Sequence, residues 1–258
     1  MSNNNLFYSY YDALFQSKDY SKETDLIFKL SKKYGIKSPK KVLEIGCGTG
    51  NHTKFLAQKS ANLIAIDIDP KMVAIARQKI KQTINLKIIH SSVENLKQDK
   101  FDLIVAMFNV VTYIPTEKQL LEFMKAVASK LNREAIFIFD CWNGVAAIKD
   151  PPKIKKQTIN YQDKKIDYTL VPHTDFFNQK TTLTYNLRVE SKDVIKSESF
   201  SFDQTLWTPL QLLYTIKESG MRATLCSPLM DINNKATEKD WKIMLVAKKR
   251  ASDDNKNP

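Results

Sequence analysis

Three of the chain's six glycines, Gly46, Gly48 and Gly50, fall within five residues, in LEIGCGTGN directly after the apolar run KVLEI. Average usage would give a chain of 258 residues about 18 glycines. A chain this sparing has placed half of them where backbone must turn tightly or be approached closely. The spacing is G-x-G-x-G. The dinucleotide fingerprint G-x-G-x-x-G needs glycine where Asn51 stands, and no Gly-Lys-Ser/Thr follows to make a P-loop. Bare backbone at the carboxyl end of a parallel strand is nevertheless where open sheets bind ligands. Asp67, which ends a second apolar run, NLIAID, is placed to accept both hydroxyls of a ribose.

Groups suited to acid–base work are few. The chain has three histidines, His52, His90 and His173, and no carboxylate pair at metal-ligand spacing. Cys47, wedged between two glycines with no base beside it, reads as a small packed residue rather than a nucleophile. The first twenty residues carry Phe7, Tyr8, Tyr10, Tyr11, Phe15 and Tyr20. That aromatic density suits either a lid over a site or a helix docked into the core.

The elements that would position these groups follow from periodicity. Residues 21–34 have a helical apolar stripe (Leu26, Ile27, Leu30, Tyr34) behind Ser21 as N-cap, and a helix is expected at about 50–59 after the glycines. Asp69-Pro70 is a cap and first turn, continued by Met72, Val73 and Ala76. Apolar runs at 41–46, 62–67, 86–90, 101–107 and 134–140, alternating with helices that include 116–131, predict a parallel sheet covered on both faces. After Pro151-Pro152 the period changes to two, at Ile166/Tyr168/Leu170, Leu183/Tyr185/Leu187/Val189 and Phe200/Phe202, which predicts an antiparallel sheet with one wet face. A helix at 208–219 and strands at 221–227 and 241–247 complete the pattern. The division expected is an N-terminal aromatic lid (1–35), an α/β domain (36–150 and 207–249), a β insertion capping the substrate (151–206) and a disordered tail (250–258).

Composition narrows the class. With 43% hydrophobic and 26% charged residues the chain can build a core, so wholesale disorder is excluded. No apolar run approaches the roughly 18 residues of a membrane helix, and three scattered cysteines give neither a disulfide frame nor a zinc site; a cytoplasmic protein without a membrane partner is expected. The net charge of +12 divides as +7, +2 and +3 over residues 1–150, 151–206 and 207–258, and five of forty cations are arginine. So diffuse a charge does not indicate a nucleic-acid partner.

VLEIGCGTGNHT together with IAIDIDPKMVAIAR resembles the first two motifs of class I S-adenosylmethionine-dependent methyltransferases, and FDLIVAMFNVVTYI is similar to their fourth-strand motif. The resemblance implies a Rossmann-like, doubly wound seven-stranded sheet with an antiparallel β insertion after the fifth strand, and S-adenosyl-L-methionine as cofactor. It implies that Glu44, Gly46, Cys47, Gly48 and Gly50 run beside the methionine part, that Asp67 binds the ribose, and that Ile68 and Met72 sandwich the adenine. Ser92 and Val93 stand where the family often has an acid-containing turn at the adenine, and Met107, Phe108 and Asn109 would abut the methionine moiety.

A narrower likeness, carried by FYSYYDALFQSKDYSKE and FDCWNGVAAIKDPPK, is to bacterial methyltransferases that include N,N-dimethyltransferases of nucleotide-linked amino sugars. It implies that Tyr11 and Tyr20 flank the cofactor, with Tyr11 in a catalytic role, and that Tyr8, Trp142, Asn143 and Arg188, with residues of about 168–188, meet the acceptor. The expectation is a monomeric or homodimeric, metal-free methyltransferase of a small molecule, most simply an amine on a sugar nucleotide. An RNA or protein methyltransferase of the same fold and a non-catalytic cofactor-binding module are the alternatives.

Overall fold

The computed structural model describes residues 5–80, 84–97, 100–191 and 194–249; the tail expected at 250–258 lies outside them. The chain opens with two helices, α1 (Asn5–Leu14) and α2 (Tyr20–Lys33). Helix α2 covers the stretch expected at 21–34 but is capped by Asp19 rather than Ser21: the Asp19 carboxylate accepts from the Lys22 N–H at 2.9 Å and so starts the helix at Tyr20.

β1 (Lys41–Ile45), α3 (Thr53–Lys59), β2 (Asn62–Asp67), α4 (Pro70–Lys79), β3 (Leu86–His90) and β4 (Phe101–Ala106) follow. Helix α3 starts three residues later than periodicity suggested, because Gly50 has a φ of +83° and cannot sit in a right-handed turn. After β4 come a short 3-10 turn (Val110–Tyr113), α5 (Glu117–Lys130), β5 (Leu131–Trp142) and a helix not expected from sequence, α6 (Gly144–Lys149). The chain then lays down β6 (Lys155–Tyr161), β7 (Lys164–Asp175), β8 (Lys180–Ser191) and β9 (Val194–Thr205), and ends with α7 (Pro209–Glu218), β10 (Met221–Pro228) and β11 (Lys242–Lys249).

The larger sheet has seven strands in the order β10-β11-β5-β4-β1-β2-β3, antiparallel only at β10 and β11. Apolar side chains of alternate strand residues feed two cores, one on each face: Leu43, Ile66, Ile104, Phe137 and Phe139 against α5 and α7, and Val42, Leu63, Leu103, Ile136 and Met244 against α2 and α4. This is the doubly wound fold expected, with the insertion after β5 as a separate four-stranded antiparallel sheet, β6-β7-β8-β9. Its first strand escaped the sequence reading because β6 is an edge strand whose residues are mostly exposed, so KKQTINY lacks a full apolar alternation.

The two sheets are joined where the chain returns from the insertion. Gly144, at the start of α6, donates its N–H to the Trp207 carbonyl at 2.9 Å, and the Trp207 indole donates to the Val111 carbonyl at 3.2 Å. A Cβ on Gly144 would lie 2.1 Å from the Leu206 carbonyl oxygen, which is backbone and cannot yield. Gly144→Ala should therefore destabilise the protein by about 3 kcal/mol through overpacking, read as a lower urea midpoint with unchanged m-value; a loss under about 0.5 kcal/mol would show that this junction is loose.

Candidate active site

The three clustered glycines all adopt left-handed backbone, with φ of +70°, +54° and +83° at Gly46, Gly48 and Gly50. The loop is anchored to β2 by the N–H groups of Gly46 and Cys47, both donating to the Ile66 carbonyl at 2.8 and 3.0 Å. The turn brings the Gly48 N–H to 2.7 Å from an Asp67 oxygen, and the Asp69 N–H donates to the other at 2.9 Å. Burial pushes the Asp67 carboxyl up, and these two N–H donors oppose that by stabilising the carboxylate. Each oxygen keeps a lone pair for a further donor.

The side chains below the loop are sealed. Glu44 is buried on β1, accepts from the Thr53 hydroxyl at 2.6 Å, and burial raises its pKa to about 8. Cys47 is buried too, which pushes its thiol well up and keeps it from serving as a nucleophile. Beside Asp67, Ile68 lies 73% exposed at the strand tip, an uncovered apolar shelf. Met72 packs into the cluster formed by Phe7, Ala13 and Leu14 of α1. The turn after β3 buries Val93, and the Ser92 hydroxyl accepts from the Asn95 N–H at 3.4 Å. At the end of β4, Met107 and Asn109 are buried, Phe108 and Asn109 both have positive φ (71° and 63°), and the Asn109 N–H donates to Asp140 at 3.1 Å. Two successive non-glycine residues in that region store backbone strain of the kind that clusters at binding sites.

Helix α1 lies across this edge. The Tyr8 hydroxyl donates to Asp69 at 2.7 Å, and burial with that bond raises its pKa to about 12. Asp12 accepts from the Thr49 hydroxyl (2.6 Å), the Asn51 amide (2.8 Å) and the Lys79 ammonium (2.6 Å). The Tyr11 hydroxyl stands over Gly48, 3.9 Å from where a Cβ would be, and Phe15 meets Phe108 edge-on at 5.0 Å. Tyr20, at the start of α2, meets His52 edge-on at 4.8 Å, and its buried hydroxyl has no hydrogen-bond partner among the described residues. His52 is itself bonded to Glu23 at 2.8 Å, and Glu23 also pairs with Lys18.

The insertion supplies the facing wall. Phe200, Phe202 and Tyr185 receive Phe7 of α1, with centroids 4.7 and 4.9 Å away for the two phenylalanines, and Tyr185 stacks on Phe200 at 5.3 Å. Tyr113, half exposed after β4, reaches over Phe202 at 6.3 Å. Burial holds the phenols of Tyr11 and Tyr185 above the usual tyrosine value, and also that of Tyr113, whose hydroxyl end is enclosed although half of the residue is exposed; Tyr113 adds to the shift of the other two.

Of the acceptor residues expected from sequence, Tyr8 is at this cleft. The structure places the others in different surroundings. Asn143 is buried as the cap of α6, its amide taken by the Val145 N–H and the Thr237 carbonyl. Trp142 packs edge-on against Trp241 at 5.4 Å. Arg188 alternates with the buried Leu187 and Val189, so it faces away from α1, where it pairs with Glu190 at 2.9 Å. Tyr185 falls in the 168–188 stretch that the narrower likeness assigns to the acceptor pocket; Tyr113, Thr49 and Lys79 are not singled out by sequence, although Thr49 stands inside the glycine motif and Tyr113 inside the fourth-strand motif.

Residues 42–133 match the family model described as a methyltransferase domain. Among curated relatives, YqeM of Bacillus subtilis, named as a methyltransferase, is 25% identical over 164 residues, 63% of each chain. A similarly named protein of Geobacillus is 24% identical over 136 residues, 52% of this chain and 55% of that one, so the match spans less than two thirds of either relative. An S-adenosylmethionine-dependent methyltransferase of Clostridium acetobutylicum superimposes with a TM-score of 0.83 at 21% identity, covering 96% of this chain and 99% of the other. The sugar N-methyltransferase KedS8 of Streptoalloteichus superimposes at 0.78 and 16% identity, covering 96% and 92%. The amino pentose methyltransferase CalS10 of Micromonospora echinaspora does so at 0.76 and 13%, covering 95% and 97%. Residues 42–133 thus carry a methyltransferase domain, set in the fold of S-adenosylmethionine-dependent methyltransferases along nearly the whole chain.

Proposed function

We propose that this protein is an S-adenosylmethionine-dependent methyltransferase whose acceptor is a small-molecule amine, and that the amine belongs to a sugar carried on a nucleotide. The observation that carries the reading is the Asp67 carboxylate held against bare Gly48 backbone under a tyrosine-bearing helix. The residues fit the cofactor. Asp67 has lone pairs left for two ribose hydroxyls, Ile68 offers an apolar shelf to a base, and the unpartnered Tyr20 hydroxyl offers a hydrogen bond to the amino-acid end. When bound, the cofactor supplies an electrophilic methyl on a sulfonium.

The chain's own part is to hold the acceptor in line and keep water out. At neutral pH the phenols of Tyr11, Tyr113 and Tyr185 stay protonated, so they donate hydrogen bonds and present π faces to cations rather than take protons. An amine that arrives neutral needs no base before attack, whereas an alcohol does. The three histidines are elsewhere: His52 on Glu23, His90 on the Ile68 carbonyl, and His173 across from Thr182 in the insertion. This distribution supports nitrogen over oxygen as the acceptor. The sugar part of the assignment is supported by the sugar N-methyltransferase and the amino pentose methyltransferase among the fold neighbours.

In this reading α1 is a lid over both partners. The Asp12 carboxyl is pushed up by burial, but its bonds from Lys79, Thr49 and Asn51 outweigh that and leave its pKa below the usual aspartate value. A carboxyl lowered in the folded state stabilises it fully above the ordinary pKa of about 3.9, and that contribution disappears as the pH falls through the lowered value.

Two outcomes follow. Asp67→Ala should weaken S-adenosylhomocysteine binding by about 1.5–3 kcal/mol through loss of hydrogen bonds to a charged group, measured by calorimetry, and in the wild type this ligand but not NAD should raise the Tm; affinity unchanged by the substitution would remove Asp67 from the site. Amide-exchange protection of residues 6–14 should hold from pH 7 to about 4 and decline below it, while Asp12→Asn should lower that protection already at pH 7; identical protection in both proteins would mean that α1 is not latched by this carboxylate.

A further inference from the structure

The edge of the larger sheet opposite the glycine loop is where the fold gathers positive charge. Parallel strands begin there, β11 ends there and β10 starts there, so neighbouring strand ends bring Arg222, Lys248 and Lys249, Lys100, and Lys40 with Lys41 into one row. Five strands, β10 to β1, make that row about 19 Å wide. Lys33, at the end of α2, joins it, since its ammonium and that of Lys248 both lie about 6 Å from the Tyr34 ring, at 5.9 and 6.0 Å.

Among the described residues none of these cations is in an ion pair; the pairs form at the lid and α3, between α6 and the β10–β11 connection, and on or beside the insertion. Asp102, at the start of β4, forms no ion pair with the row but offsets part of the Lys40 charge, which, against the burial that raises it, helps hold its carboxyl below the usual aspartate value. Its oxygens accept from the backbone N–H groups of Lys40 and Lys41, at 2.9 and 3.0 Å, and from the Asn132 amide at 2.6 Å. Glu134 is the exposed carboxylate of β5 at this edge. Like charges crowd: burial lowers the Lys249 pKa, and Lys100 lowers it further. Holding unpaired cations together costs free energy unless an anion relieves it.

We infer that this basic edge is a docking surface for the phosphate backbone of a nucleic acid, separate from the methyl-transfer cleft. The row is almost all lysine, which contacts phosphates as point charges and reads no base sequence. Ile84, just before β3, is exposed at this end of the sheet but lies two strands beyond the row; within the row, from β10 to β1, none of the exposed large apolar side chains of the described residues is present, so the row has nothing to insert into a bilayer. The length of β1, about 17 Å for its five residues, separates the row from Asp67. A strand held here is therefore a tether and not the acceptor.

The test is binding of a fluorescent twelve-nucleotide oligouridine to the full chain, by anisotropy, between 50 and 300 mM salt. If about four phosphates are neutralised, the affinity should fall with a log–log slope near −3. Lys40→Glu/Lys41→Glu/Lys248→Glu, and the milder set with alanine, should each lose at least tenfold at 50 mM salt while S-adenosylhomocysteine binding is kept. Lys153→Glu/Lys155→Glu/Lys156→Glu, an equal charge change on the insertion, should lose less than threefold. No binding by the wild type at 50 mM salt overturns the inference. Equal loss in both charge-reversal sets does so too, because net charge alone would explain it. Capture by phosphatidylglycerol vesicles without RNA binding would assign the edge to a membrane instead.

Discussion

The 2.7 Å hydrogen bond from the Gly48 N–H to Asp67 is the contact around which the carboxyl edge of the larger sheet is built. It requires a residue without Cβ at a φ of +54°, so that backbone rather than a side chain faces the neighbouring strand tip. It also offsets the penalty of burying a carboxylate, which would otherwise favour the neutral acid. A Cβ here would meet the Tyr11 hydroxyl at 3.9 Å, an ordinary contact, so the position calls for glycine through its left-handed backbone and not for want of room.

Helix α1 ties the two sheets together over that contact. At one end Phe7 is seated among Phe200, Phe202, Tyr8 and Tyr11, and at the other Phe15 meets Phe108. Aromatic pairs of this kind contribute about 0.5–1.5 kcal/mol each beyond area burial, whereas partly exposed ion pairs such as Asp12–Lys79 contribute about 0–1. The rings therefore supply most of the adhesion, and the polar bonds of Tyr8, Asp12 and the Leu6 N–H, which donates to Glu198 at 2.6 Å, set the register. A helix held by a few rings and latched by polar groups can open without unfolding the sheets it bridges.

Charge is sorted along the strands. The Asp67 carboxylate, stabilised by two backbone N–H donors, lies at the carboxyl end of β2, the end where a cationic sulfonium would sit, whereas burial holds Glu44 on β1 mostly neutral at pH 7 and pushes the Asp140 carboxyl up. The lysine row lies at the opposite end of the same sheet. Such a separation produces a field across the domain that favours cations on one side and polyanions on the other.

Periodicity, a glycine cluster and one strand-end aspartate were enough to read the sheet, its insertion and the loop from sequence. Those features are local: which way a strand residue faces, and where backbone must bend, depend on near neighbours along the chain. What lay between distant segments was not legible. Phe7 meeting Phe200, Asp12 meeting Lys79 and Tyr113 entering the cleft join residues far apart in sequence, and no short-range pattern marks them. Asn143 and Arg188 looked available because their types suit ligand contacts, and only packing shows one capping a helix and the other turned to the outer face. The charge is the clearest case. Along the chain it is diffuse, with no segment dense enough to stand out. Strand order alone brings residues near positions 40, 100, 222 and 248 to one edge, because hydrogen-bonded strands sit about 4.8 Å apart whatever their separation in sequence.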